Sequence, residues 1–362
     1  MKTDFYFYSP VKVHVEVEPI KVISKFLRDI ESVGVISGKK SIVKTGFKDF
    51  LINSFKDKDI FFFDEVEENP SINTIIKGGR FLRENRCKAV ISFGGGSAID
   101  AGKACAIFAE NNIPFYELLA SERYNLPLPV LAIPTTCGTG SEVNQYSIIT
   151  DIEKRDKINF SKSDSFPKDA LLFSEYLKSL DEKILIATVF DAFTHAFEGF
   201  IATSSNPFTD TLAMEVMKII IKNLQNYIDG KFLNLPELHY ASSVAGIVIG
   251  HTGTTLLHAL GYYLTNHHKI HHGEANALLL PSFLTLCRKQ NLEKLNLVDR
   301  IMKDFRLEIE DAVKSIFNNR LVDILSHDEF ENMVDYALNK PNVLKTPFTV
   351  NRDYILDSLT LS

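Results

Sequence analysis

The sequence predicts an α/β N-terminal domain with a doubly wound, mostly parallel sheet, followed by an all-α C-terminal helical domain. Three observations carry that expectation. Apolar runs of strand length alternate with helical segments through the first half of the chain. Two of those runs lead directly into glycine-rich turns. From about Asp181 onward, long amphipathic segments recur with few strand signals. The boundary falls in the stretch 165–182, and the two domains are taken as 1–175 and 176–362.

The elements follow in order. Val11, Val13, Val15 and Val17 alternate with polar residues, the period of a half-buried strand. Helical spacing covers Ile20 to Ile30. A short strand at Gly34–Ser37, a helix near Phe47–Phe55 and the apolar run Ile60–Phe63 come next. Pro70 precedes a helix for which Ser71 and Asn73 are candidate caps. Ala89–Phe93 and Pro129–Ile133 are further buried-strand runs. In the second half, helices are expected at Lys183–Phe200, Asp210–Ile228 and Glu237–Ile249, with several more beyond Ala275. Asn206-Pro207, Asp229-Gly230 and Lys340-Pro341 mark breaks between helices.

Composition narrows the function classes. The 362 residues are 45% hydrophobic and 24% charged, values of a folded chain. With a net charge of −6 there is no general positive excess to hold nucleic acid or anionic lipid. Apolar stretches are broken before 18 residues, so no membrane-spanning helix is expected. Asp4 interrupts the start, which lacks the apolar core of a secretory signal. Cys87, Cys105, Cys137 and Cys287 show no paired spacing, which points to free thiols and a cytoplasmic location.

Three loops have the chemistry of a phosphate site. SFGGGSAIDAGKA begins at Ser92, after an apolar run and before helix-forming residues. A strand turning through Gly94, Gly95 and Gly96 into a helix offers free backbone N–H groups to a pyrophosphate, and Ser97 can cap the helix or bond a phosphate oxygen. The glycines are contiguous and do not form the spaced fingerprint of a standard dinucleotide module. PTTCGTGSE, Pro134 to Glu142, adds the hydroxyls of Thr135, Thr136, Thr139 and Ser141 after a second strand. Two such loops at the carboxyl ends of strands sit where open α/β sheets bind ligands. After the first short strand come Gly38, Lys39, Lys40 and Ser41. An acid near this point would accept bonds from an adenine ribose; glycine beside two lysines favours NADP(H) over NAD(H). A solvated basic turn is the plain alternative.

The strongest chemistry lies in DAFTHAFEG. Four steps of ~100° put Asp191 and His195 on one helix face, ~6 Å apart along the axis. His258 sits in an apolar helical context after Thr252-Gly253-Thr254-Thr255, and His272 opens a new helix after a polar stretch containing His267 and His268. One Asp and three His, with no thiolate, suit Fe²⁺ or Zn²⁺. Glu198 follows His195 by three residues; it could orient a ligand, but is read here as a surface acid.

GGGSAIDAGK, PTTCGTGSE, DAFTHAFEG and HALGYYLTNHHKIHHGEANALLLP, in this order and spacing, resemble the iron-containing (group III) alcohol dehydrogenases, in particular the butanol, 1,3-propanediol and lactaldehyde reductase branch. The resemblance covers most of the chain. It implies a dinucleotide-binding domain, a metal-binding helical domain and an active site in the cleft between them. It puts the metal ligands on Asp191, His195, His258 and His272. It puts cofactor contacts on Asn69, Gly95, Gly96, Ser97, Asp100, Thr135, Thr136, Thr139 and Lys157. It implies hydride transfer between NAD(P)(H) and a small primary alcohol or aldehyde, the metal polarising the substrate oxygen.

Four positions depart from the family's usual pattern. Tyr262 stands where many members have a second histidine near the metal. Val189 replaces a common glycine, Phe173 a common Asp, and His271 a common Pro. Tyr262 removes a proton-relay histidine from that place, so Tyr262 and His267 are the candidates for handling the proton. The alternative is a metal- and NAD-using lyase resembling dehydroquinate synthase, whose ligand set typically has Glu for the helical Asp; Asp191 and PTTCGTGSE argue against it. A small-molecule substrate is expected, with a homodimer as the assembly to test.

Overall fold

The computed structural model describes residues 4–154, 156–290, 292–318 and 321–359. They divide into two compact units. One comprises Tyr8–Thr136 and Gly140–Leu180; the other comprises the N-terminal residues through Phe7, Cys137–Thr139, and the chain from Asp181 onward.

The first unit holds strands β1 (Lys12–Val15), β2 (Ser32–Ser37), β3 (Asp59–Phe63), β4 (Ala89–Gly94), β5 (Val130–Pro134), β6 (Ile148–Asp151), β7 (Asp156–Asn159) and β8 (Asp169–Leu172). Its helices are α1 (Pro19–Phe26), α2 (Lys39–Lys44), α3 (Phe47–Ser54), α4 (Ile72–Glu84), α5 (Gly96–Glu110) and α6 (Phe115–Ala120). Six strands form one sheet in the order β1-β8-β5-β4-β2-β3, every pair parallel. Strand residues alternate between two cores. Ala89, Ile91 and Phe93 of β4 join Val33, Val35, Leu131 and Ile133 in one core. Val90 joins Ile36 and Val130 in the other. Burial on both faces is why these strands read as unbroken apolar runs in the sequence.

The chain runs from β2 outward to β3, then returns to pair β4 on the other side of β2. Strand order therefore reverses between β2 and β4, where open α/β sheets place their ligand crevice. Register aligns the carboxyl ends: Ser37 lies opposite Phe93, and Gly94 opposite Pro134. Gly38, Gly95 and Thr135 each follow at this one edge. The hairpin β6–β7 and helix α6 were not expected.

The second unit begins with α7 (Glu182–Ile201), α8 (Pro207–Ile228), α9 (Leu235–Thr252), α10 (Leu256–His268) and α11 (His272–Lys289), and shorter helices continue to Arg352–Leu359. Asn206 caps α8 with a capping box ahead of Pro207, as the break there requires. Helix α7 is more continuous in its apolar character than the sequence reading suggested. It is long and apolar enough to cross a membrane, yet every residue from Ile186 to Ile201 is buried. Being apolar all round, it is the central helix of this unit, with no solvent face.

Candidate functional site

Helix α7 carries Asp191 and His195 one turn apart, α10 carries His258 on its first turn, and α11 starts at His272. Their side chains converge. From Asp191 Oδ1 the distances to the Nε2 atoms are 4.0 Å for His195, 3.6 Å for His258 and 3.8 Å for His272. Donor atoms of Asp191, His195 and His258 all lie within 4.8 Å of one another. Ligands about 2.1 Å from a tetrahedral cation stand about 3.4 Å apart, so Asp191, His195 and His258 fit a divalent ion after some contraction; His272 lies outside that mutual group and approaches it through Asp191 Oδ1. Asp191, His195 and His258 are buried, whereas the His272 side chain keeps 29% of its surface.

The other ring nitrogens explain why Nε2 points inward. His195 Nδ1 lies 3.1 Å from the carbonyl of Gly138. His258 Nδ1 meets Glu198 Oε2. His272 Nδ1 lies 3.4 Å from Thr265 Oγ1. Such partners set tautomer and ring orientation. Glu198 is the sequence reading most clearly corrected here. It has no exposed surface, and its Oε1 accepts from Thr255 N at 2.7 Å and Thr255 Oγ1 at 2.6 Å. One carboxylate thus holds the start of α10 and the ring of His258 together. Glu198→Ala is expected to weaken cation binding about 10–100-fold, with Glu198→Gln closer to wild type because an amide oxygen still accepts; competition with a chromophoric chelator measures this.

Burial works to raise the Asp191 pKa, but His195, with His258 and His272, holds it well below the usual carboxylate range. Burial pushes His195 down, and His272 down to about 3. Burial opposes charge on His258 too, but Glu198 and then Asp191 outweigh it and raise its proton affinity. The neutral rings of His195 and His272 are the form that a metal takes.

In the α/β unit the glycine loop leaves β4 through Gly94, whose φ of +144° requires glycine. Helix α5 follows from Gly96. Thr135 N donates to Gly94 O at 2.9 Å, tying the second loop to the first. Asn69 N donates to Ser97 Oγ at 3.1 Å, and Lys157 Nζ reaches Asn69 Oδ1 at 2.7 Å and Thr150 Oγ1 at 3.0 Å. Burial pushes Lys157 down to about 8, against the pull of Asp100 and Glu68. Lys39 is exposed beside Gly38, and Ser41 Oγ bonds the Gly38 carbonyl at 3.3 Å. Gly38 also bridges through the backbone to Glu65, an exposed acid that the sequence reading missed.

Asp100 is engaged inside the protein. It accepts from Ser141 Oγ and from Ile148 N at 2.8 Å, and Lys103 Nζ lies 3.2 Å away. Lys103 is buried and also reaches Ser141 O at 2.8 Å and Asn144 O at 3.3 Å. These groups support the second loop from beneath. Thr139 belongs with the helical unit, as does Gly138, the acceptor for His195. Tyr262 stacks on His272 with ring centroids 5.4 Å apart. The His267 ring instead packs on Tyr263 at 4.3 Å and Tyr336 at 5.7 Å, with Nδ1 3.1 Å from Tyr263 O. Of the two proton candidates, the structure brings Tyr262 to the ligand set and puts His267 in a tyrosine cluster.

The profile described as "Iron-containing alcohol dehydrogenase" matches residues 10–174, and that described as "Fe-containing alcohol dehydrogenase family, C-terminal" matches 185–361. The chain belongs to the iron-containing alcohol dehydrogenase family. It is 29% identical over 321 residues to the NADPH-dependent butanol dehydrogenase of Clostridium saccharobutylicum, covering 83% of this chain and 82% of that protein. Over 265 residues it is 30% identical to the 1,3-propanediol dehydrogenase of Klebsiella pneumoniae, covering 69% and 68%. The crystal structure of an iron-containing alcohol dehydrogenase from Thermotoga maritima matches with a TM-score of 0.87 and 33% identity, over 99% of this chain and 100% of that one. As a member of this family the chain is an NAD(P)-dependent oxidoreductase, and the lyase alternative is not favoured.

Proposed function

We propose that this alcohol dehydrogenase interconverts a small primary alcohol and its aldehyde in the cytoplasm, with Asp191, His195, His258 and His272 holding one Fe²⁺ or Zn²⁺ and with NADP(H) preferred over NAD(H). The observation that carries the reading is the convergence of three imidazole Nε2 atoms on one carboxylate oxygen of Asp191. When bound, the cation supplies Lewis acidity at the substrate oxygen and the nicotinamide supplies the hydride chemistry.

The chain's own residues do the remainder. Gly138, Glu198 and Thr265 fix the imidazoles, so no ring has to reorient during turnover. One carboxylate and three neutral rings leave a divalent ion with net charge +1, which favours a substrate oxygen bearing negative charge. Tyr262, stacked on His272, walls the substrate side. His267 carries no step in this proposal. Gly95, Gly96 and Ser97 present the α5 N-terminus to the pyrophosphate, beside Thr135, Thr136, Asn69 and Lys157. The buried cysteines, all free thiols, accord with a reducing compartment.

The test is nicotinamide absorbance with two- to four-carbon aldehydes and NADPH or NADH. Turnover with NADPH, abolished by chelation, is the expected result; no turnover with either cofactor across the panel overturns it. The cofactor preference is supported by Gly38 beside Lys39 and Lys40. Gly38→Asp puts a carboxylate where a 2′-phosphate would sit. The kcat/KM for NADPH should fall roughly tenfold to a hundredfold, from the repulsion of one added carboxylate against the phosphate, while that for NADH changes far less.

Lys157 gives a pH dependence. Below about 8 its ammonium is charged in the free protein and attracts an anionic dinucleotide. As pH rises through that value the charge is lost, so the cofactor KM should climb on the alkaline side. Lys157→Met should raise KM at pH 7 and flatten the profile.

A further inference from the structure

We propose that Asp100 and Lys103 are positioning residues for the dinucleotide, holding the β6–β7 hairpin so that Lys157 stands beside the glycine loop. The inference rests on the cofactor reading above. It gives Asp100 a different role from the direct contact that the resemblance implied. All the groups concerned lie in the α/β unit.

Ser97, Asp100 and Lys103 follow one another at three-residue spacing on α5, so each is a neighbour of the next on the helix surface. Ser97 Oγ accepts from Asn69 N at 3.1 Å. Asp100 Oδ2 accepts from the N–H of Ile148, the first residue of β6, at 2.8 Å. Two residues along β6, Thr150 N donates to Pro70 O at 2.8 Å and Thr150 Oγ1 to Asn69 O at 3.0 Å. Thr150 pairs with Lys157 across the hairpin, and Lys157 Nζ reaches back to Thr150 Oγ1 and Asn69 Oδ1. The bonds close a ring from Ser97 through Asn69, Thr150 and Ile148 to Asp100, starting and ending on α5.

Lys103 secures the inner end of that ring. Its Nζ is buried among oxygens: Asp100 Oδ1, Ser141 O and Oγ, Asn144 O and Tyr146 O, all within 3.3 Å. Five acceptors share its N–H groups, so the amine gathers the stretch 141–146, which runs on to β6. Asp100 Oδ1 meets Ser141 Oγ and Lys103, and Oδ2 meets Ile148 N, so this carboxylate is spent on the protein interior. Charge argues the same way. A carboxylate set directly against an anionic dinucleotide would repel it, whereas one that fixes the segment bearing Lys157 brings a cation to it.

NADPH is the probe, its dissociation constant read by nucleotide fluorescence. Asp100→Asn keeps the shape and puts an amide where the carboxylate held Ile148 and Lys103. It should weaken NADPH binding about tenfold, the effect of misplacing one charge-assisted contact, and Lys103→Met should act in the same direction. In a Lys157→Met background, Asp100→Asn should add about twofold or less, because its effect runs through Lys157. In the nucleotide-free protein the amides of Ile148 and Thr150 should exchange hydrogen faster in Asp100→Asn than in wild type. The double variant Asp100→Asn, Lys103→Met leaves no unmatched buried charge and carries the same measurements if a single variant does not fold. Equal or tighter NADPH binding, a full effect without Lys157, unchanged exchange at both amides, or failure of single and double variants alike to fold overturns the proposal. Wild type that binds neither NADPH nor NADH defeats the cofactor reading itself, and this proposal with it.

Discussion

Asp191→Asn should abolish cation-dependent turnover, with kcat/KM falling about a thousandfold or more. Asp191 supplies the only negative charge among the four ligands, and its Oδ1 is the point on which the imidazoles converge. The amide keeps the shape and removes the charge. A divalent ion would then meet four neutral donors in a buried place, where an uncompensated charge is costly. Catalysis loses the several kcal/mol of charge stabilisation that a bound ion contributes, about a thousandfold in rate. Two measurements check this. Elemental analysis should find substoichiometric metal in the variant, and added Zn²⁺ should no longer raise its thermal midpoint. Near-normal turnover in this variant would remove Asp191 from the site.

Gly273→Ala should damage the same site from behind. The added Cβ would come within 2.0 Å of the Ala187 carbonyl oxygen and 2.6 Å of its carbon, both backbone atoms of α7. No rotamer change relieves that overlap. The first turn of α11 must move off α7, and His272 moves with it. Overpacking of this kind typically costs 1–3 kcal/mol, and here the obstacle is rigid. The thermal midpoint should fall by several degrees. A ligand displaced on the order of 1 Å can cost about a hundredfold in activity, so kcat/KM should fall even where the variant is folded. A variant with wild-type midpoint and activity would mean that α11 is not packed on α7 as described.

Much of this was readable from the residues alone, for physical reasons. Strands β2, β4 and β5 are buried on both faces, so their apolar runs stand out. Asp191 and His195 stand out because four-residue spacing aligns side chains on a helix. The hairpin β6–β7 did not, because Ile148–Asp151 and Asp156–Asn159 are short, mostly polar and only partly buried. Glu198 was misread for a different reason: helix surfaces usually carry acids. Its sequence does hold a warning. Phe190, Phe193, Phe197 and Phe200 line one face of α7, and Ala187, Ala192, Ala196 and Ile201 spread apolar residues round the others, so that helix has no solvent face to offer an acid.

The proposition that four distant side chains bind one catalytic cation is tested most directly by metal stoichiometry coupled to turnover. Protein purified without added metal should contain one Fe²⁺ or Zn²⁺ per chain. Chelation should remove it along with NAD(P)H-linked aldehyde reduction, and the ion added back should restore both. Chelated protein that holds no metal yet keeps full activity would contradict the assignment.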